Sequence, residues 1–98
     1  MTRIELAPEV LDDFDRIIDH LQEHDGDDAT ARANHIIQAI DVLASNPLIG
    51  RPLATGMREL IIGRRNRGYV ALYRYVADID TVFVLAIRGQ REAGYPPT

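Results

Sequence analysis

The sequence contains no cysteine, no tryptophan and no lysine, and its single serine is Ser45. The absence of cysteine excludes disulfide frameworks, thiolate zinc sites and cysteine nucleophiles. Ser45 stands at the end of a helical pattern rather than in a nucleophile elbow, so serine-based hydrolysis has no foundation. There is no HExxH and no glycine loop that would cradle a phosphate. His20 and His24 are spaced i,i+4 but no third ligand converges on them, so neither a metal nor another cofactor is expected. No apolar run is long enough to span a bilayer, and Met1 to Leu6 lack the basic and hydrophobic regions of a secretion signal. The expectation is a cytoplasmic protein with no membrane partner.

What remains is an ordinary globular mixture, 46% hydrophobic and 27% charged over 98 residues. That length suits one domain, residues 1–98, around one core. The net charge of −4 conceals an asymmetry. Residues 1–46 carry eleven acids against three bases, whereas residues 47–98 carry eight bases against four acids. All eleven bases are arginine, whose planar fork suits carboxylates and phosphates. A genome rich in arginine codons accounts for the missing lysine equally well, so the informative feature is where the arginines fall.

Thr2 to Leu6 alternates as a short strand does. After Ala7-Pro8, the apolar positions Val10, Leu11, Phe14, Ile17, Ile18 and Leu21 recur at helical spacing, with Asp12, Asp13 and Asp19 facing water. His24 to Asp28 breaks the pattern. Ala29, Ala33, Ile36, Ile37, Ile40, Leu43 and Ala44 then stripe a second helix, with His35 beside the stripe as a partly buried packing residue. Asn46-Pro47 ends it. An ordered loop from Asn46 to Gly56 leads into strands at Met57–Ile62, Tyr69–Val76 and Thr81–Ile87. The fold class is α+β, in the order β-α-α-β-β-β, with a helical hairpin on one face of a small antiparallel sheet.

That arrangement has a coverage problem. Both sets of alternate residues in the strands are largely apolar: Val70, Leu72 and Val76 oppose Tyr69, Ala71 and Tyr73, and Val82 and Val84 oppose Phe83 and Leu85. One helical hairpin shelters only one face, and an uncovered apolar face in a soluble protein is a binding surface. A protein partner is therefore expected, either another protein or a second copy of the chain. In an antiparallel meander the turn bearing Arg64, Arg65 and Arg67 lies at the same end as Arg88, with Arg91 and Tyr95 in the tail beyond. Such a basic rim suits an anionic target or a phosphodiester. Equally, turns and tails are where charged residues ordinarily go, and no general base accompanies them.

Four stretches carry a family likeness: Asn46-Pro47-Leu48-Ile49-Gly50-Arg51-Pro52, Arg58-Glu59-Leu60, Gly68-Tyr69 with Tyr73-Arg74, and Arg88-Gly89-Gln90-Arg91. In their order and spacing the chain resembles the ParE-like, plasmid-stabilisation toxins of the ParE/RelE toxin–antitoxin superfamily. The resemblance implies the RelE/ParE-like fold and a toxin neutralised by a cognate antitoxin, of ribbon-helix-helix type, in a hetero-oligomer. ParE-like members are associated with inhibition of DNA gyrase, and RelE-like members with ribosome-dependent cleavage of mRNA. Positions that are basic in the nucleases match Ile61, Gly63 and Val70 here, none of which binds phosphate or moves a proton. The gyrase branch is therefore favoured, by protein–protein contact rather than as an enzyme. Its target-facing residues would be Arg64, Arg65, Arg67, Arg88 and Arg91, and its antitoxin groove Val70, Leu72, Val84 and Leu85. An endoribonuclease using Arg65, Arg91 and Tyr95 is the alternative, and a non-toxic partner in operon regulation is a third. Arg88 stands where many ParE-like chains carry histidine, which removes a group titrating near neutrality.

Overall fold

The structure is a computed structural model and describes residues 1–24, 29–63 and 68–89. Strand β1 (Arg3–Leu6) leads into helix α1 (Pro8–His24) and helix α2 (Ala29–Asp41), which closes in a 3₁₀ turn at Val42–Ala44. Strands β2 (Arg51–Pro52), β3 (Arg58–Ile62), β4 (Tyr69–Val76) and β5 (Thr81–Gly89) follow. The predicted β-α-α-β-β-β order holds, with the two-residue β2 added inside the expected loop.

Pro8 occupies the first helical position of α1, where a missing N–H costs nothing, and Glu9 places an anion in the first turn. Val10, Ile17 and Leu21 of α1 and Ile36 and Ile40 of α2 fill the core with Leu43. From the sheet they meet Ile62, Ala71, Tyr73, Val82, Val84 and Ile87. His35 is exposed rather than partly buried, because Ile36 and Ile40 rotate it away from the sheet.

The sheet order is β1-β5-β4-β3-β2. The last four strands pair antiparallel, but β1 lies parallel to β5, with Arg3 beside Thr81 and Leu6 beside Val84. The sheet is therefore mixed, and β5 is a central strand. This suits its composition, since a strand with neighbours on both sides favours the β-branched and aromatic run Thr81 to Val84.

A bulge reshapes β5. Leu72 pairs with Ala86 but Tyr73 pairs with Val84, so Leu85 has no partner in β4. The extra residue reverses the alternation beyond it. Ile87, which unbroken alternation would set on the face of Phe83 and Leu85, consequently joins Val82 and Val84 in the core.

Candidate functional site

The helices cover the face carrying Ala71, Tyr73, Val82 and Val84, all buried. The opposite face has no element over it among the described residues. Val70, Leu72, Phe83 and Leu85 are half-buried there, and Ile61, directly across from Val70, is 49% exposed. Of the predicted antitoxin-groove residues, Val70, Leu72 and Leu85 thus lie outside the core. Val84 does not. It is fully buried beneath the helices and presents nothing to a partner. Alternation alone groups residues by face without saying which face the helices take.

Towards β1, the open face sinks into a shallow depression of about 420 Å³ lined by Leu6, Pro8, Ile79, Phe83 and Leu85, with Arg3 and Glu5 on its wall. Arg3 Nε lies 2.8 Å from Glu5 Oε1, both on the same side of β1. An exposed pair of this kind adds at most about 1 kcal/mol and leaves the depression close to neutral. Farther along the sheet, Arg51 Nη2 meets Glu59 Oε1 at 2.6 Å across the β2–β3 pair. Arg74 stands exposed between these two ion pairs, opposite Phe83.

Arg88 is the one predicted target-facing residue that the structure describes; Arg64, Arg65, Arg67, Arg91 and Tyr95 lie outside the described residues. Arg88 pairs with Val70, at the end of the sheet where the chain leaves β3 and enters β4. Gly63 and Gly68 bracket that connection and approach closely: a Cβ on Gly63 would stand 3.1 Å from the Gly68 Cα. Gly63 also has φ +80°, which favours glycine over any side chain.

The surroundings of Arg88 contain a residue that sequence reasoning misassigned. Asp13, placed on the wet side of α1 by its spacing, is only 8% exposed. Strand β1 stops at Leu6, so β5 beyond Val84 has a free edge, and α1 crosses beside it. There Asp13 Oδ2 accepts the Ile87 N–H at 3.0 Å, while Oδ1 accepts from Arg88 Nη1. Arg16 donates through Nη2 to the Ile87 carbonyl at 3.4 Å and lies 3.8 Å from Asp13 Oδ1. Arg88 Nη1 also donates to the Ile87 carbonyl, at 3.1 Å. Two side chains of α1 therefore take the place of a neighbouring strand, which satisfies backbone groups that burial would otherwise penalise. The i,i+4 run Asp13, Ile17, Leu21 was the available signal.

The proline-glycine segment before β2 is held by side chains of the sheet. The Tyr73 hydroxyl donates to the Pro47 carbonyl and accepts the Gly50 N–H, both at 2.8 Å. Arg58 Nη1 donates to the carbonyls of Leu48 at 3.0 Å and Gly50 at 2.8 Å. Burial raises the Tyr73 pKa above its ordinary value, against smaller opposing effects of the Gly50 N–H and Arg58, so the hydroxyl stays protonated at neutral pH. Gly50 is indispensable to this packing, since a Cβ there would stand 2.6 Å from Tyr73 Cε1 and 2.9 Å from the Glu59 carbonyl oxygen. The clamped loop presents Leu48 and Ile49 to solvent, 58% and 57% exposed.

A third polar cluster ties the amino terminus to the β4–β5 turn. Thr2 Oγ1 and the Tyr75 hydroxyl both donate to Asp80 Oδ1, at 2.7 and 2.8 Å. These two bonds hold the Asp80 carboxyl below its usual pKa, and the bond to Asp80 raises that of Tyr75. No group of three or more histidine, aspartate or glutamate side chains converges as a metal site among the described residues. Nor is any helix among them long and apolar enough to cross a membrane.

Comparison with known proteins places this geometry. Residues 4–94 match the model of a family described as the ParE toxin of the type II toxin–antitoxin system, parDE. Among curated proteins none matches. Among solved structures, a chain of the chromosomal ParDE toxin–antitoxin system from P. aeruginosa is similar at TM-score 0.76 and 24% identity, covering 91% of this chain and 96% of that one. A chain of the RelBE2 toxin–antitoxin complex from Mycobacterium tuberculosis gives 0.65 at 17% identity, over 91% and 98%. A chain of the intact E. coli RelBE toxin–antitoxin complex gives 0.56 at 15%, over 91% and 96%. These likenesses share the fold, two helices packed on a five-stranded mixed sheet.

Proposed function

Because the chain belongs to the ParE toxin family of type II toxin–antitoxin systems, we propose that it acts in the cytoplasm by inhibiting DNA gyrase through protein–protein contact. It does so without reaction chemistry of its own. A cognate antitoxin of ribbon-helix-helix type holds it inactive in a hetero-oligomer. The observation that supports a target other than RNA is the Ile61–Val70 pair, which lies side by side on the open face at positions where the nuclease branch is basic. Neither side chain carries a charge or a transferable proton, so the pair itself neither grips a phosphodiester nor promotes its cleavage.

The open apolar face supports the antitoxin. Val70, Leu72, Phe83 and Leu85 form a surface that a partner's apolar side chains would bury, as a helix laid in a groove or an added strand does. Arg64, Arg65, Arg67, Arg88 and Arg91 form the target-facing surface. They belong to the basic half of the chain and include the one residue, Arg88, fixed at the end of β5.

Two assays on the purified chain test this reading. Supercoiling by gyrase should be inhibited while transcripts on programmed ribosomes remain whole, and added antitoxin should restore supercoiling. Cut transcripts with unimpaired supercoiling would overturn the gyrase assignment. Silence in both, with antitoxin binding retained, would leave a regulatory partner without toxicity.

A further inference from the structure

Arg88 is held in an unusual way for an arginine near a strand end. Both of its hydrogen bonds use one nitrogen, Nη1, which donates to Asp13 Oδ1 and to the Ile87 carbonyl. Its side chain is about one-fifth exposed. Nε and Nη2 make no hydrogen bond among the described residues. A guanidinium recognises an oxyanion best through two parallel N–H bonds from one edge. Here the Nη1 corner is committed to the protein, and the Nε–Nη2 edge is left available.

The holder is itself rigid. Asp13 is nearly buried, projects from the middle of α1, and is fixed through its other oxygen by the Ile87 N–H. Arg16, one turn along α1, approaches the same carboxylate and donates to the same carbonyl. A surface arginine ordinarily samples many rotamers and loses that freedom on binding, which weakens the contact it makes. Anchoring through Asp13 removes that loss beforehand.

We propose that Asp13 is a positioning residue for the toxin activity: it fixes Arg88 by Nη1 so that the Nε–Nη2 edge is presented to a carboxylate of the target protein. The inference rests on the reading of Arg88 as target-facing, and goes beyond it by assigning a role to a helix residue distant in sequence. Asp13→Asn is the informative change, since an amide has one acceptor for the two donors, the Ile87 N–H and Arg88, that the carboxylate satisfies. Arg88→Lys is its counterpart, retaining charge while removing the fork.

The experiment measures gyrase inhibition and antitoxin affinity for the wild-type chain, D13N, R88K and D13N/R88K, and the ¹⁵Nε–¹Hε resonance of Arg88 for the wild-type chain and D13N. The expected result is a loss of inhibitory potency of about tenfold or more in each single variant, with the double variant no weaker than R88K. The Arg88 resonance, set apart from that of a free arginine in wild type because the side chain is held in one conformation, should move to the free-arginine position or broaden in D13N. Antitoxin affinity of D13N should remain within about twofold, because the open face does not include Asp13. A merely structural Asp13 would instead lower both activities together and give multiplicative losses in the double variant. Full potency of D13N beside a weakened R88K, or an Arg88 resonance indifferent to D13N, would overturn the proposal while leaving the toxin reading intact. A wild-type chain that fails to inhibit gyrase would remove the reading itself, and the resonance would still report whether Asp13 holds Arg88.

Discussion

Replacing Tyr73 by Phe isolates the clamp on the loop before β2. The ring is fully buried and its hydroxyl makes two hydrogen bonds at 2.8 Å, one donated to Pro47 and one accepted from Gly50. Removing a single oxygen leaves the ring in place and creates almost no cavity, so the measured cost belongs to the polar contacts. Each bond contributes about 1 kcal/mol net, and the buried Gly50 N–H loses its partner, at about 1–3 kcal/mol. Arg58 still holds the carbonyls of Leu48 and Gly50, which limits collapse of the loop. The expected destabilisation is therefore about 2–3 kcal/mol, or a fall in Tm of roughly 8–24 °C for a domain of this size. Urea unfolding followed by far-ultraviolet circular dichroism, with thermal scans alongside, measures it directly. A change below about 0.5 kcal/mol would refute the reasoning, because it would mean that water satisfies these groups as well as the hydroxyl does. Combining the change with Arg58→Met sharpens the test. Two residues holding one loop should show a coupling of about 0.5 kcal/mol or more rather than simple addition.

Other outcomes follow from the same coordinates. Val84→Asp should prevent folding, since it puts an unpaired carboxylate in the core, whereas Leu72→Asp should fold normally and lose antitoxin binding in a pull-down; the reverse pattern would invert the assignment of faces. Because Asp80 has a lowered folded pKa, its contribution to stability is complete above pH 4 and disappears as the pH falls through that folded value. In Asp80→Asn this acid-sensitive contribution should be absent, and Tm measured from pH 2 to 6 should converge on wild type at the acid end. Tyr75 works in the opposite sense: its raised pKa adds stability below pH 10 that is lost as the pH rises through the folded value, and Tyr75→Phe should flatten the alkaline limb of the same profile. Gly50→Ala should destabilise strongly, since the new methyl meets the Tyr73 ring and the backbone of Glu59, and a Tm within a few degrees of wild type would contradict that geometry.

The element order was legible because each segment shows the period of its structure. The spacing of Val10, Phe14, Ile17 and Leu21 is helical, and the aromatic and β-branched runs after Gly68 and Asp80 are strands. The apolar character of the uncovered face was also legible, from apolar residues on both sides of β4. Three features were not. The parallel pairing of β1 with β5 leaves no local trace, because partners 78 positions apart meet only in three dimensions. The bulge at Leu85 reverses alternation without a glycine to announce it. Asp13 looks like any solvent-facing acid of an amphipathic helix until β1 is seen to end at Leu6 and leave the Ile87 backbone in want of partners. A fourth, the burial of Val84, was not legible for a related reason, since periodicity divides residues into two sets and says nothing about which set the helices choose.

The seat of β1 beside β5 also bears on how the molecule comes into being. The first strand made waits for the last, and the Asp13 acceptor on α1 finds its donor, Arg88, only when that strand has arrived. During synthesis the helices and the β3–β4 hairpin can gather early, but β1 has no strand to pair with and Arg88 does not yet exist. Such distant closure slows folding relative to chains built from neighbouring contacts. A nascent copy thus lacks both the anchored Arg88 and the β5 half of the open apolar face until its last strand is complete.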